Sequence, residues 1–289
     1  MRDSFDIHSN DNALFTTAMC SNRCLMCCQP PSNKYDIDSL WRKNIRLIDT
    51  ASKELPSIGV TGGEPTLLRG RFFELIRHIR MTLPNTEIHI LSNGRSFADK
   101  QFASQLGEIG TDKILLGIPL HSDNQLDHDF IAGAEGAYTE TLMGLYNLAR
   151  WAFDIELRVV LTKLNYQRLP RLASFIYRNL PFVKYISLMG LEYTGYTIKN
   201  AGQVWIDPVE MAGPLSEATL FLASTGLDVS IFNLSQCVLP ESIWSFARKS
   251  ISDWKNRFEP FCDECRLKSE CCGLFATSMK QSPNLHPIR

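Results

Sequence analysis

The chain has 289 residues, 44% of them hydrophobic, and a net charge of -1 from 30 basic and 31 acidic side chains. That length suits one large domain, or a large and a small one, around a sizeable core. The even charge balance offers no basic surface of the kind nucleic acid requires, which disfavours a transfer-RNA substrate, and the absence of a long apolar run or an N-terminal leader predicts a cytoplasmic protein that does not enter membranes.

Residues 1–12 are polar and aperiodic and read as a lead-in. From Leu14 onward, short apolar runs alternate with segments of helical period, the pattern of βα units on a parallel sheet. Strands are predicted near 14–17, 57–61, 87–91, 113–120, 155–162 and 183–189. The helices between them carry apolar residues at helical spacing, such as Phe72, Ile76 and Ile79, or Phe102, Leu106 and Ile109, and 139–151 reads as another. Six such units make an α/β fold, an incomplete (β/α)6 barrel, whose glycine-rich and polar segments gather at the carboxyl ends of the strands. Residues 193–205 are aperiodic. Asp207-Pro208-Val209-Glu210 then announces a helix: Asp207 caps, Pro208 takes the first turn, Glu210 completes a capping box, and the helix runs to about Thr225 and stops at Gly226. Residues 228–231 read as a short strand. The expected organisation is a lead-in over 1–12, a barrel over 13–206 and a cysteine-rich region over 207–289.

Nine cysteines fall into two clumps, Cys20 to Cys28 and Cys237 to Cys272, with none between. In a chain without a secretion signal this points to two metal sites rather than a disulfide framework. In Cys20-Ser21-Asn22-Arg23-Cys24-Leu25-Met26-Cys27, three thiols at spacings of three and two residues can wrap one face of a cubane iron–sulfur cluster. A cluster held by three thiolates instead of four keeps one iron open to a small ligand. Taken alone, the same thiols also suit zinc. Thr61-Gly62-Gly63-Glu64-Pro65 follows the run Ser57-Ile58-Gly59-Val60. Its two glycines let backbone approach a ligand closely, and Glu64 can accept a hydrogen bond from an ammonium, although Gly-Gly-Glu by itself is a common turn composition.

Together the two motifs resemble the radical S-adenosylmethionine (SAM) superfamily. The resemblance implies a [4Fe–4S] cluster on Cys20, Cys24 and Cys27, SAM chelating the open iron, and Gly62, Gly63 and Glu64 receiving the SAM amino group. Met26 departs from the aromatic residue usual before the last cysteine. By the same resemblance Ser92 and Asn93, after the third strand, hydrogen-bond SAM, the alternative being a plain Asn-Gly turn. Arg158 lies in an otherwise apolar strand and needs a partner, either the SAM carboxylate or an internal carboxylate. The segment Ser187 to Glu192 ends the last strand, where the family's backbone contacts adenine. Glu192 is a candidate to face substrate, and His121 is the best placed of six histidines for proton transfer.

In the second clump, Cys262-Asp263-Glu264-Cys265 with Cys271 resembles part of the SPASM and twitch extensions, which bind auxiliary iron–sulfur clusters. Cys237 is available as a fourth thiolate, and one auxiliary cluster is expected, against a structural zinc ribbon. Cys28 and Cys272 have no assigned role, though Cys272 is an alternative to Cys271. Finer strings resemble the C-type radical SAM maturases of the His-Xaa-Ser repeat system. They are Ser21 to Pro31, Met189-Gly190-Leu191-Glu192 with Thr194-Gly195-Tyr196, and Phe246 to Asn256. What this implies is an enzyme that modifies a ribosomally made His-Xaa-Ser repeat peptide; an auxiliary cluster at the second clump would accept an electron from the product radical, and a two-hydrogen loss, as in a crosslink, is then expected. Its expected partners are a second radical SAM maturase and an external electron donor. The alternatives are a small-molecule radical SAM enzyme and a cluster-bearing docking partner of the second maturase.

Overall fold

The computed structural model describes residues 4–9, 11–250 and 255–289. Eight strands form one sheet in which spatial order follows chain order. They are β1 (Ala13–Phe15), β2 (Ser57–Thr61), β3 (Glu87–Leu91), β4 (Ile114–Pro119), β5 (Asp154–Val160), β6 (Tyr185–Met189), β7 (Asp228–Phe232) and β8 (Ala247–Arg248). A separate antiparallel pair joins β9 (Asn256–Arg257) to β10 (Leu274–Phe275). The helices are α1 (Ile37–Asp49), α2 (Gly70–Thr82), α3 (Lys100–Gly107), α4 (Gln125–Ala132), α5 (Ala137–Ala149), α6 (Leu169–Asn179), α7 (Tyr196–Lys199), α8 (Ala201–Val204) and α9 (Ala212–Ser224). No helix among the described residues is long and apolar enough to cross a membrane.

The parallel register explains the composition of the strands. Ile58 pairs with Ile88 and Ile88 with Ile114; Val60 pairs with Ile90 and Ile90 with Leu116. Rows of fully buried β-branched and leucine side chains therefore cross three strands, as expected of a sheet whose faces are covered by crossover helices.

By contact density the chain divides into two units. The first comprises 1–23, 29–119 and 134–156; the second comprises 24–28, 120–133 and 157–289. In the first, Phe72, Phe73, Phe97 and Phe102 form an aromatic cluster in which ring centroids lie 4.7–6.5 Å apart. In the second, Leu188 pairs with Ile231 between β6 and β7, and α6 and α9 bury Leu172, Ile176, Leu215 and Leu222.

Several boundaries differ from the sequence expectation for local reasons. Thr162 leaves the fifth strand because its backbone N–H and hydroxyl both donate to Asn165 Oδ1 in a tight turn. Helix α5 starts after Gly136, at φ +75°. Helix α3 stops at Gly107, so Ile109 lies beyond it. The stretch 193–205 holds α7 and α8, single turns too short to show a period. Asp207 caps a 3-10 turn (Pro208–Met211) through Val209 N–H at 3.0 Å, and α9 follows directly. The chain then turns at Gly226, φ +85°. In the string from Phe246 to Asn256, positions 251–254 lie outside the described residues.

Candidate active site

In the first unit the chain entering Cys20 lies against the loop after β2. Gly63 N–H donates to Thr17 O at 2.6 Å and Glu64 N–H to Met19 O at 2.7 Å. A Cβ at Gly62 would sit 2.4 Å from Thr17 O, and one at Gly63 2.2 Å from Met19 O. The glycines thus have a reason visible within the chain: two backbones touch and leave no room for a side chain. Gly63→Ala is expected to push the Cys20 loop out of place, so that the folded variant, purified anaerobically, carries much less iron than the wild type; equal iron would contradict this.

Glu64 has a role within the chain itself. Its carboxylate is fully buried and has four donors within the chain. Oε1 accepts from Thr66 N–H (3.0 Å), the Thr66 hydroxyl (2.6 Å) and the Ser92 hydroxyl (2.8 Å), while Oε2 accepts from Asn93 N–H (2.6 Å). Burial raises its pKa, and the donors from Thr66, Asn93 and Ser92 oppose that rise. The side chain ties the loop after β2 to the loop after β3.

Ser92 and Asn93 belong to the same tie. Gly94 at φ +81° makes the expected turn, and the Asn93 side-chain amide donates to Ser21 Oγ at 2.9 Å inside the cysteine loop. Cys20 accepts from Asn22 N–H at 3.4 Å; burial pushes its thiol pKa up, with the Asn22 N–H opposing. Arg95 went unrecognised in the sequence. Its guanidinium donates to Ser21 O (3.1 Å) and Asn22 Oδ1 (2.8 Å) and pairs with Glu140 (2.5 Å). Its place two residues after Asn93 was the available signal.

Cys24 and Cys27 belong to the second unit, where Cys27 N–H donates to Cys24 O at 3.0 Å and Leu25 N–H to Ile131 O at 2.9 Å. Met26 is buried. Arg158 places an amino group 3.2 Å from Met189 Sδ at the end of β6. The Glu192 carboxylate accepts from the Thr277 hydroxyl, so it is engaged by the C-terminal segment.

His121 is 2% exposed. Its ring lies 5.1 Å from that of His128, its backbone N–H donates to His128 Nδ1 at 3.2 Å, and neither ring nitrogen has a hydrogen-bond partner among the described residues. Burial, with His128 adding to it, holds its pKa well below the usual histidine range. The folded chain therefore keeps His121 neutral where the unfolded chain protonates it near pH 6.5. Stability is expected to fall as pH drops below that value, by about 1.4 kcal/mol per pH unit from this group. Comparing urea midpoints across pH 5–7 for wild type and His121→Asn checks this, the variant losing that share of the slope.

The C-terminal cysteines converge. Cys237, Cys262, Cys265 and Cys271 line one narrow space, partly open to solvent, with Phe258 and Leu285 among the apolar walls. The buried Gln236 in that wall has an Oε1 without a partner among the described residues. Cys271 and Cys272 are distinguished: Cys272 is buried, outside this lining, and donates its S–H to Gly273 O. The neighbouring Cys272 thiol is the main influence that brings the Cys271 thiol down to about 6, against burial, while the Cys272 thiol is pushed up. Cys28 is exposed. Among the described residues, no three His, Cys, Asp or Glu side chains are grouped closely enough to hold a single metal ion.

Both donor sets fit the chemistry of iron–sulfur clusters. Cys20 in the first unit, with Cys24 and Cys27 in the second, supplies three thiols, and the C-terminal set supplies four thiols on one cavity. The comparisons agree on the fold. A solved structure of anSMEcpe with bound AdoMet and the Cp18Cys peptide matches at a TM-score of 0.58, with 18% identity, over 76% of this chain and 62% of that one. Streptococcus suis SuiB bound to its precursor peptide SuiA matches at 0.56, with 14% identity, over 76% and 48%. A probable GTP 3',8-cyclase of Metallosphaera sedula is 29% identical over 178 residues, 61% of this chain and 54% of that protein. The chain spans about half the length of the curated relatives it matches. The Radical SAM superfamily profile matches residues 14–176, over half of the 289 residues, and with the open cysteine loop in that span the chain belongs to the radical SAM superfamily, enzymes that use SAM and a [4Fe–4S] cluster.

Proposed function

We propose that this enzyme is a peptide maturase of the His-Xaa-Ser type that oxidises its substrate by two electrons, forming a crosslink between side chains. The observation that carries this reading is the second thiol set, Cys237, Cys262, Cys265 and Cys271 on one cavity. A site closed by four protein ligands suits electron transfer rather than substrate binding. The fold likeness to anSMEcpe and SuiB, both solved with peptides, and the strings around Cys24 and Gly195 are in keeping with it.

Cys20, Cys24 and Cys27 would hold the cluster, which would supply the electron for reductive cleavage of the SAM sulfonium bond. This chain's residues do the positioning: Gly62 and Gly63 let the loop after β2 pack against the chain entering Cys20, and Asn93 and Arg95 hold the loop that carries Cys20. For a crosslink the substrate would lose one hydrogen atom and then one electron and one proton, and Cys237, Cys262, Cys265 and Cys271 would hold a second cluster able to accept that electron. Keeping water and stray hydrogen donors away from that sequence is the remaining task of the fold.

Coexpression with a His-Xaa-Ser repeat peptide, alone and with a second radical SAM maturase, tests the reading by intact mass. A loss of two hydrogens that disappears with Cys24→Ala supports it. An unchanged peptide mass in both settings refutes it and favours a small-molecule substrate, the reading that the relative named as a GTP 3',8-cyclase supports.

A further inference from the structure

The string Thr194-Gly195-Tyr196 has no part in the chemistry above, yet it and the residues after it pack directly on the cysteine loop. Three consecutive carbonyls of that loop each accept a hydrogen bond from 196–200. Asn200 Nδ2 donates to Leu25 O at 2.8 Å, the Thr197 hydroxyl to Met26 O at 3.3 Å, and Tyr196 N–H to Cys27 O at 2.9 Å. Gly195 makes the approach possible. It sits at φ +57° and ψ -128°, and a Cβ there would lie 2.4 Å from Cys27 O and 2.7 Å from Cys28 O. Two independent constraints, the backbone angle and the contact, therefore demand glycine at this position.

Leu25, Met26 and Cys27 have no regular secondary structure to fix them. Their geometry follows from the tertiary hydrogen bonds that satisfy their backbone groups, and these three residues set how the Cys24 and Cys27 thiols are presented. The donating segment is itself anchored from its far side. Tyr193 N–H donates to Ser278 Oγ at 3.0 Å, Met279 N–H to Tyr193 O at 3.2 Å, and the Thr277 hydroxyl to Glu192. Thr197 is fully buried, so its hydroxyl gains its bond away from competing water.

We propose that residues 195–200 form a clamp on the cysteine loop, in which Gly195, Thr197 and Asn200 are positioning residues that set the geometry of Cys24 and Cys27 and through it the affinity of the loaded site for SAM. The clamp rests on the family assignment and not on the identity of the substrate.

The test uses the full chain with its clusters reconstituted anaerobically. Thr197→Val keeps the shape and removes the donor, Thr197→Ser restores the donor, and Asn200→Ala removes the neighbouring one. Gly195→Ala is the harsher variant and is not needed for the conclusion. The readouts are iron content, the dissociation constant of SAM per loaded cluster, and the change in the electron paramagnetic resonance spectrum of the reduced protein on adding SAM. With iron retained, Thr197→Val and Asn200→Ala are expected to bind SAM about tenfold more weakly, the equivalent of roughly one hydrogen bond. The SAM-induced spectral change should be altered in both, and Thr197→Ser should match the wild type. Loss of iron in Thr197→Val but not in Thr197→Ser also supports the clamp, because the donor is then what holds the loop. Unchanged SAM affinity and spectrum in Thr197→Val and Asn200→Ala at full loading, or equal defects in Thr197→Val and Thr197→Ser, would overturn it.

Discussion

Glu64→Ala is expected to destabilise the apo protein by about 3 kcal/mol or more, and to do so without SAM or iron present. The carboxylate is fully buried and receives Thr66 N–H, the Thr66 hydroxyl, the Ser92 hydroxyl and Asn93 N–H. Removing it strands two backbone donors in a site closed to water, and each stranded donor costs roughly 1–3 kcal/mol. The hydroxyls lose less, because they rotate toward other acceptors. Glu64→Gln should be intermediate: one carboxylate oxygen becomes an NH2 that faces a donor, so at least one contact turns repulsive whichever way the amide lies. The measurement is the urea midpoint of the cluster-free protein. A pure ligand-binding role for Glu64 predicts unchanged midpoints for both variants and a defect confined to SAM affinity, so a stable apo Glu64→Ala would refute the structural role. At equal loss of SAM binding the two roles are separated by stability alone.

This example shows how the sequence and the folded chain share the information. The spacing of Cys20, Cys24 and Cys27 and the order of the two motifs suffice to name the chemistry, because the cluster fixes which residue types stand at which intervals. Strands β2 and β3 were legible to the residue, since buried parallel strands are short apolar runs bounded by polar turns. Partners were not legible. The bonds that Glu64 makes within the chain could not be read from the sequence, because their donors include Ser92, on a loop 28 residues further on. Gly195 was visible only as part of a string; its reason is the Cys27 carbonyl, which is far away in sequence and next to it in space. Likewise α7 and α8 are single turns held by the residues they touch rather than by an apolar period, so no pattern announces them. Cys271 and Cys272 are chemically identical neighbours, and the chain separates them only by turning one into the thiol-lined cavity and the other into the core.

That separation leads to the second large effect. Cys262→Ala combined with Cys265→Ala is expected to remove about four of about eight irons per chain, to leave formation of 5′-deoxyadenosine from SAM intact, and to stop the appearance of oxidised peptide. The cysteine loop at Cys20, Cys24 and Cys27 is untouched by these changes, so cleavage of SAM should continue, uncoupled from product. The single variants refine the assignment: Cys271→Ser should lower the iron as the double variant does, because Cys271 lines the space shared with Cys237, Cys262 and Cys265, whereas Cys272→Ser should keep it, because Cys272 lies outside that lining with its S–H on Gly273 O. Metal analysis reads the outcome directly. Zinc in place of iron at the C-terminal thiols would make the site structural, and would move the acceptor of the second electron off this region of the chain. Undiminished peptide product from the double variant would do the same, and a crosslink would then have to form with an acceptor supplied from outside. The two failures differ in what they leave standing: the first removes the auxiliary cluster and the second only its role, and neither bears on the proposal that Cys20, Cys24 and Cys27 hold the first cluster.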